Sequence, residues 1–152
     1  MKSNILEELP HLSPKQIDRC IDEMNRAFLE AAITGYEQLI EAMINQPNDR
    51  HVLAAAVRGN VGVIVTNNIR DFPKESYEQF ELDIQTPDIF LEHALFQDPI
   101  AVYLAINQQA SSKKNPPMKM SDVLDHLNRH VPRFVQQATS TWNGDGYPPS
   151  SL

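Results

Sequence analysis

Residues 49–73 read DRHVLAAAVRGNVGVIVTNNIRDFP, and this stretch decides the fold class. Asp49 offers a helix cap, residues 52–57 form an apolar helical run, and Gly59 marks its predicted end. Residues 61–66 follow at once and are apolar and β-branched without polar alternation. Such a run is typical of a parallel strand that is buried on both faces. The stretch therefore predicts a helix that leads directly into a buried strand.

The sequence downstream repeats this alternation of helix and strand. Residues 82–85 are interpreted as a second strand, and Thr86-Pro87-Asp88 begins a helix whose body is residues 89–96. The order helix, strand, helix, strand, helix indicates parallel strands joined by right-handed crossovers. We therefore predict an α/β protein with a short parallel sheet.

Upstream of residue 49 the predicted elements are shorter. Ser13, Pro14 and Gln16 form the start of a helix, with a capping box. The apolar positions of this helix recur at helical spacing and predict one buried face: Ile17, Cys20, Ile21, Met24 and Phe28. Residues 31–34 are interpreted as a strand and residues 36–43 as a short helix.

The C-terminal part of the chain is predicted to be helical. Asp98-Pro99 begins a helix that runs to about residue 109, Ser121 caps another, and residues 132–142 form the last. We expect a partial α/β domain at 1–97, a helical appendage at 98–142 and a flexible tail at 143–152, because the tail is rich in Gly, Pro and Ser.

Composition limits the class of protein. The net charge is −7, which counts mildly against a tight, non-specific grip on a nucleic-acid backbone but does not exclude a metal-dependent nuclease. The one cysteine, Cys20, allows no internal disulfide, and a core role is expected for it. There is no signal-peptide pattern and no apolar run of membrane-spanning length. We expect a cytoplasmic protein without a membrane span.

Two carboxylates are predicted to meet at one edge of the sheet. A helix that precedes a strand in an α/β layer runs antiparallel to it, so Asp49 lies at the edge where the strand ends at Thr66. Asp71 follows shortly after, with Asn67 and Asn68 between. Ligands bind at the carboxyl ends of such strands, and hard oxygen ligands favour Mg²⁺ or Mn²⁺. The alternative is that Asp49 is only a helix cap and Asp71 only a turn residue.

Several segments together resemble the PIN-domain ribonuclease family, in its VapC-like toxin group. Residues 49–73 resemble its signature, with Thr66, Asn68 and the Asp71-Phe72-Pro73 loop in matching places. Residues 85–91 (QTPDIFL) resemble another family segment. Residues 12–14, 24–28, 114–118 and 132–135 also fit, so that the resemblance covers about residues 4–140.

The resemblance implies metal-dependent hydrolysis of RNA with Mg²⁺ or Mn²⁺. By it, Asp49 and Asp71 are catalytic and metal-binding acids, and Thr66 and Asn68 are supporting polar groups. Arg50 either contacts phosphate or forms a surface salt bridge. His51 is expected to be packed and hydrogen-bonded. The implied partners are RNA and either an antitoxin protein or a second copy of the chain.

The chain departs from the family pattern at its start. The family begins with a central strand that ends in an Asp, followed by a helix and a Glu, and no match to them is found here. Glu7 and Glu8 fall after the position of that Glu, and the role is not carried onto them. Without that strand we expect one of three things: the sheet closes around the gap, a second chain fills it, or the sequence is a remnant or a mis-started reading frame. We therefore expect an incomplete toxin–antitoxin-type ribonuclease, weakly active or inactive alone; the alternative is a non-catalytic interaction protein, dimeric or antitoxin-binding.

Overall fold

The computed structural model describes residues 13–29 and 31–144, and within them helices dominate. The α-helices and strands are α1 (Pro14–Ala27), α2 (Arg50–Arg58), β1 (Val63–Val65), β2 (Asp83–Gln85), α3 (Pro87–Gln97), α4 (Pro99–Ser112), α5 (Met120–Leu127) and α6 (Pro132–Gly144). Short 3-10 helices lie at Glu37–Ala42, Pro47–Asp49, Ile69–Asp71, Lys74–Ser76 and Glu78–Phe80. The expectations for Glu7, Glu8 and the tail after residue 144 fall outside the described residues.

The predicted parallel sheet is confirmed. β1 and β2 pair in parallel, with Ile64 opposite Ile84 in the centre of the register. Both isoleucines are buried, but their neighbours on the other face are not: Val65 is 41% exposed and Asp83 is also exposed. The prediction of a strand buried on both faces is therefore wrong for β1, because among the described elements only one face of the sheet is fully covered. The architecture is α/β and compatible with a PIN-like fold.

The helix before β1 forms as predicted and supplies the core under the sheet. Leu53 and Ala54 of α2 are fully buried and pack in one cluster with Ile64, Ile84 and residues of the loops around them. Gly59 ends α2 with an ordinary φ of −82°, so a left-handed conformation is not the reason for glycine here. A Cβ at Gly59 would overlap the end of the Ile33 side chain, so a larger residue there requires that side chain to shift.

The predictions upstream of α2 are confirmed only in part. Residues 31–34 are irregular because no strand pairs with them, and residues 36–43 form the 3-10 helix Glu37–Ala42. α1 forms with the predicted capping box, but only Ile17 on its apolar face is buried. Cys20 is exposed, as are Met24 and Phe28, because no other described helix or strand packs extensively against this helix.

The last four helices share a second core. Its buried residues are Leu95, Ile106, Ala110, Val123, Val131, Phe134, Val135, Ala138 and Trp142. Asp88, in the first turn of α3, accepts hydrogen bonds from the backbone N–H groups of Arg133 (3.3 Å) and Phe134 (2.8 Å) and so caps α6. The rings of Tyr103 and Trp142 meet edge to face, with centroids 5.4 Å apart.

The start of α5 differs from the prediction. Ser121 does not cap it; the helix begins at Met120, and the Asp122 carboxylate accepts a hydrogen bond from the Lys119 N–H at 2.7 Å. The division after residue 97 stays a prediction, although α3 shares the core of the C-terminal helices through Leu95. Among the described residues, no single helix has the length and hydropathy to cross a membrane. Together α3 and α4 have that length and hydropathy, but the two helices are bent by 118° relative to each other.

Candidate functional site

Asp49 lies at the start of α2, with its side chain half-buried. Its backbone N–H donates to the carbonyl of Gln46 at 2.9 Å, which closes the 3-10 turn before the helix. Its carboxylate makes no capping hydrogen bond to α2. Asp49 therefore occupies the N-cap position of α2, as predicted, but a capping hydrogen bond does not account for its carboxylate.

Asp71 is connected to Asp49 through backbone hydrogen bonds of a single residue, Gln46. The Gln46 N–H donates to the Asp71 carbonyl at 3.1 Å, and the Gln46 carbonyl accepts from the Asp49 N–H. Asp71 is half-buried and lies in the 3-10 turn Ile69–Asp71 that follows β1. Gln46 thus holds the backbones of the two aspartates at one edge of the sheet, two hydrogen bonds apart.

The turn between β1 and Asp71 is built by its own polar groups. The Thr66 N–H donates to the Gln85 carbonyl at 2.9 Å, which places Thr66 at the carboxyl end of β1. The Thr66 hydroxyl accepts from the Asn68 N–H at 3.0 Å, and the Asn68 carbonyl accepts from the Asp71 N–H at 3.1 Å. Thr66 therefore shapes the turn, whereas the side chains of Asn67 and Asn68 are exposed beside it.

The side chain of Arg50 is held by a hydrogen bond to the backbone. Its Nε donates to the carbonyl of Asn45 at 3.2 Å, and in the described part of the chain Arg50 forms no salt bridge. The hydrogen bond to the Asn45 carbonyl, rather than the predicted salt bridge, therefore holds the half-buried Arg50 side chain. His51 is exposed, so the expectation of a packed histidine is wrong.

Asn45 is the residue of this region that the sequence analysis missed. Its side chain is 2% exposed, and neither its Oδ1 nor its Nδ2 has a hydrogen-bond partner in the described structure. Buried amides are nearly always hydrogen-bonded, and those that are not concentrate at functional or strained places. Nothing in the local sequence marks Asn45, because a single polar residue outside the helices and strands carries no periodic pattern that predicts burial.

We expect the Asn45→Leu variant to be more stable than the native chain, by about 1–2 kcal/mol in the free energy of unfolding. Leucine has a similar shape and carries no unpaired polar atoms into the interior. Urea unfolding measures the difference, with Asn107→Leu, at an exposed position of α4, as the matched control. A loss of stability in Asn45→Leu alone would mean that the amide is satisfied by a buried water.

The oxygen donors at this edge fit Mg²⁺ or Mn²⁺ in kind. Two half-buried carboxylates, neither engaged by a salt bridge within the described residues, lie with two exposed amides around one turn. They fall short in number, because no group of three or more His, Cys, Asp or Glu side chains in 13–29 and 31–144 is placed to hold a metal ion. The site resembles part of an acidic metal centre.

Two comparisons find that the chain is similar to VapC50 proteins. Residues 87–140 match the model of the VapC50 C-terminal domain family. Over 104 residues, which are 68% of this chain, the sequence is 38% identical to the Mycobacterium tuberculosis (strain ATCC 25618 / H37Rv) protein named "Putative ribonuclease VapC50". The match spans 62% of the length of that relative. No solved structure matches the chain.

Proposed function

We propose that this chain is a ribonuclease-like protein of the toxin–antitoxin type, with a PIN-like fold, that acts on RNA in the cytoplasm through Asp49 and Asp71. The observation that carries the proposal is the Gln46 bridge, which holds both aspartates at the carboxyl end of β1. The similarity to a VapC50 ribonuclease supports the same reading. An antitoxin protein or a second copy of the chain is the proposed protein partner.

In this proposal each polar residue has a separate task. Asp49 and Asp71 would hold Mg²⁺ or Mn²⁺ through their carboxylate oxygens, with Asn68 as a supporting polar group. When bound, the metal activates water and stabilises charge on the phosphate. Thr66 keeps the turn in shape through its bond to the Asn68 N–H. Arg50, fixed by the Asn45 carbonyl, places a positive charge where a phosphate oxygen of RNA approaches.

Two carboxylates make this a weak metal site. Mg²⁺ dehydrates reluctantly and needs well-placed oxygen ligands. The described part of the chain offers no third acid to the pair. We therefore propose that the chain is weakly active or inactive until a further acidic group is supplied to the site.

Binding of Mn²⁺ tests the proposed site directly. In an electron paramagnetic resonance titration, the native chain is expected to bind Mn²⁺ weakly, and Asp49→Asn or Asp71→Asn to lower the affinity about tenfold, which corresponds to about 1.4 kcal/mol. Asp125→Asn, at an exposed position of α5, is the matched control and should bind as the native chain does. Equal affinity in all four proteins would refute the site.

A second candidate function, a non-catalytic interaction protein, has its own observation. α1 exposes large apolar side chains near its end: Met24 is 58%, Phe28 64% and Leu29 83% exposed. Met24 and Phe28 line, with α2 and residues 31–36, a largely apolar pocket of about 450 Å³. Apolar patches of this kind mark protein contacts. The same titration separates the two functions, because an interaction protein would bind Mn²⁺ no better than its Asp49→Asn variant.

A further inference from the structure

A second pocket, far along the chain from Asp49 and Asp71, lies in the C-terminal helices. It has a volume of about 380 Å³ and is formed by the end of α4, the loop that follows, and α5 with the turn after it. Its floor is apolar: Val123 is 3% exposed, and Met118 and Leu127 are half-buried. A volume of this size accommodates a flat group such as a nucleobase.

The rim of this pocket is cationic. Lys113 and Arg129 line it and are exposed, together with His126 and His130, and no carboxylate lines it. His126 Nδ1 lies 2.6 Å from the carbonyl oxygen of Asp122, so Nδ1 carries a hydrogen and Nε2 remains for another partner. A nucleotide has the complementary chemistry, because its base suits the apolar floor and its phosphate suits the cationic rim.

The charge around the pocket is opposite to that of the whole chain. Residues 113–130 contain four Lys and Arg side chains against two carboxylates, a net charge of +2 in a chain of −7. None of these four cations forms a salt bridge within the described part of the chain. Because an acidic protein repels RNA at long range, contact with an RNA backbone requires a local basic surface of this kind.

We propose that this C-terminal pocket binds single-stranded RNA, with a base on the apolar floor and the adjoining phosphates on Lys113 and Arg129. The choice of RNA as the ligand rests on the proposed function, because an acidic peptide would also bind to these cations. RNA is favoured over a peptide because its bases can pack on the apolar floor while its backbone binds the positively charged rim. The pocket is thus a substrate-holding site in a different part of the fold from the acidic residues.

The test is RNA binding without cleavage. Fluorescence anisotropy with a labelled, unstructured RNA is measured in EDTA, for the native chain and for Lys113→Gln/Arg129→Gln. We expect binding to weaken about tenfold, and the slope of log K against log salt to fall by about 1.4, since each lost contact to a single strand removes about 0.7. The double variant Lys15→Gln/Arg26→Gln on α1 removes the same charge and should change affinity little. Lys113→Arg/Arg129→Lys should bind as the native chain does, which excludes an effect of folding.

Three outcomes would overturn the proposal. One is no measurable RNA binding by the native chain. Another is an equal loss in the Lys15→Gln/Arg26→Gln control. The third is a polyglutamate of matched charge that binds as tightly as the RNA, which would assign the pocket to an acidic protein partner. Because EDTA removes the metal, Asp49→Asn should bind RNA normally, and a failure of the acidic site leaves this test intact.

Discussion

Replacing Phe134 with alanine is expected to lower the free energy of unfolding by about 3–5 kcal/mol. Phe134 is 1% exposed and belongs to the core that joins α3, α4, α5 and α6. Its backbone N–H is also bound by the Asp88 carboxylate, so the first turn of α6 is fixed and cannot shift to fill the space. Truncation therefore leaves a cavity, whose cost adds to the lost transfer free energy.

Phe96→Ala is the matched control for this measurement. The ring of Phe96 is 90% exposed, so the same truncation should change stability by less than about 0.5 kcal/mol. Urea unfolding followed by circular dichroism measures both variants. If the two lost equal stability, Phe134 would not lie in the core described here.

The parts of the fold that the sequence predicted are those fixed by local pattern. The apolar helix after Asp49, the β-branched strand at 63–65 and the helix start at Thr86 each follow from neighbouring residues. Thr86 accepts a hydrogen bond from the Ile89 N–H, as its type and position predict. The shared edge of Asp49 and Asp71 follows from the order of these elements, because a helix and the next strand run in opposite directions.

The features that the sequence did not predict depend on tertiary packing between elements that are distant in the chain. Asp88 looked like a residue of its own helix, but its carboxylate caps α6, more than forty residues away. Asn45 is buried although no periodic pattern in the sequence predicts it. The apolar face of α1 has the spacing of a buried face, yet it is exposed, because periodicity shows amphipathicity and not the identity of the partner.

Cleavage of RNA by the chain alone is expected to be slight or absent. The carboxylates of Asp49 and Asp71 stand without a third acid among the described residues. A loss of about 3 kcal/mol in metal-binding free energy lowers the affinity about a hundredfold. Small misplacement of reacting groups lowers the rate further. A protein or segment that supplies a further acidic group beside Asp49 and Asp71 is expected to raise the rate of RNA cleavage.

The most direct test compares RNA cleavage in Mn²⁺ by the native chain and by Asp49→Asn, with Asp125→Asn as a control for the change of charge. We predict rates near background for all three proteins, while the native chain still binds Mn²⁺ better than Asp49→Asn does. Robust cleavage by the native chain and Asp125→Asn that Asp49→Asn abolishes would contradict it, and would mean that this chain holds a complete metal site.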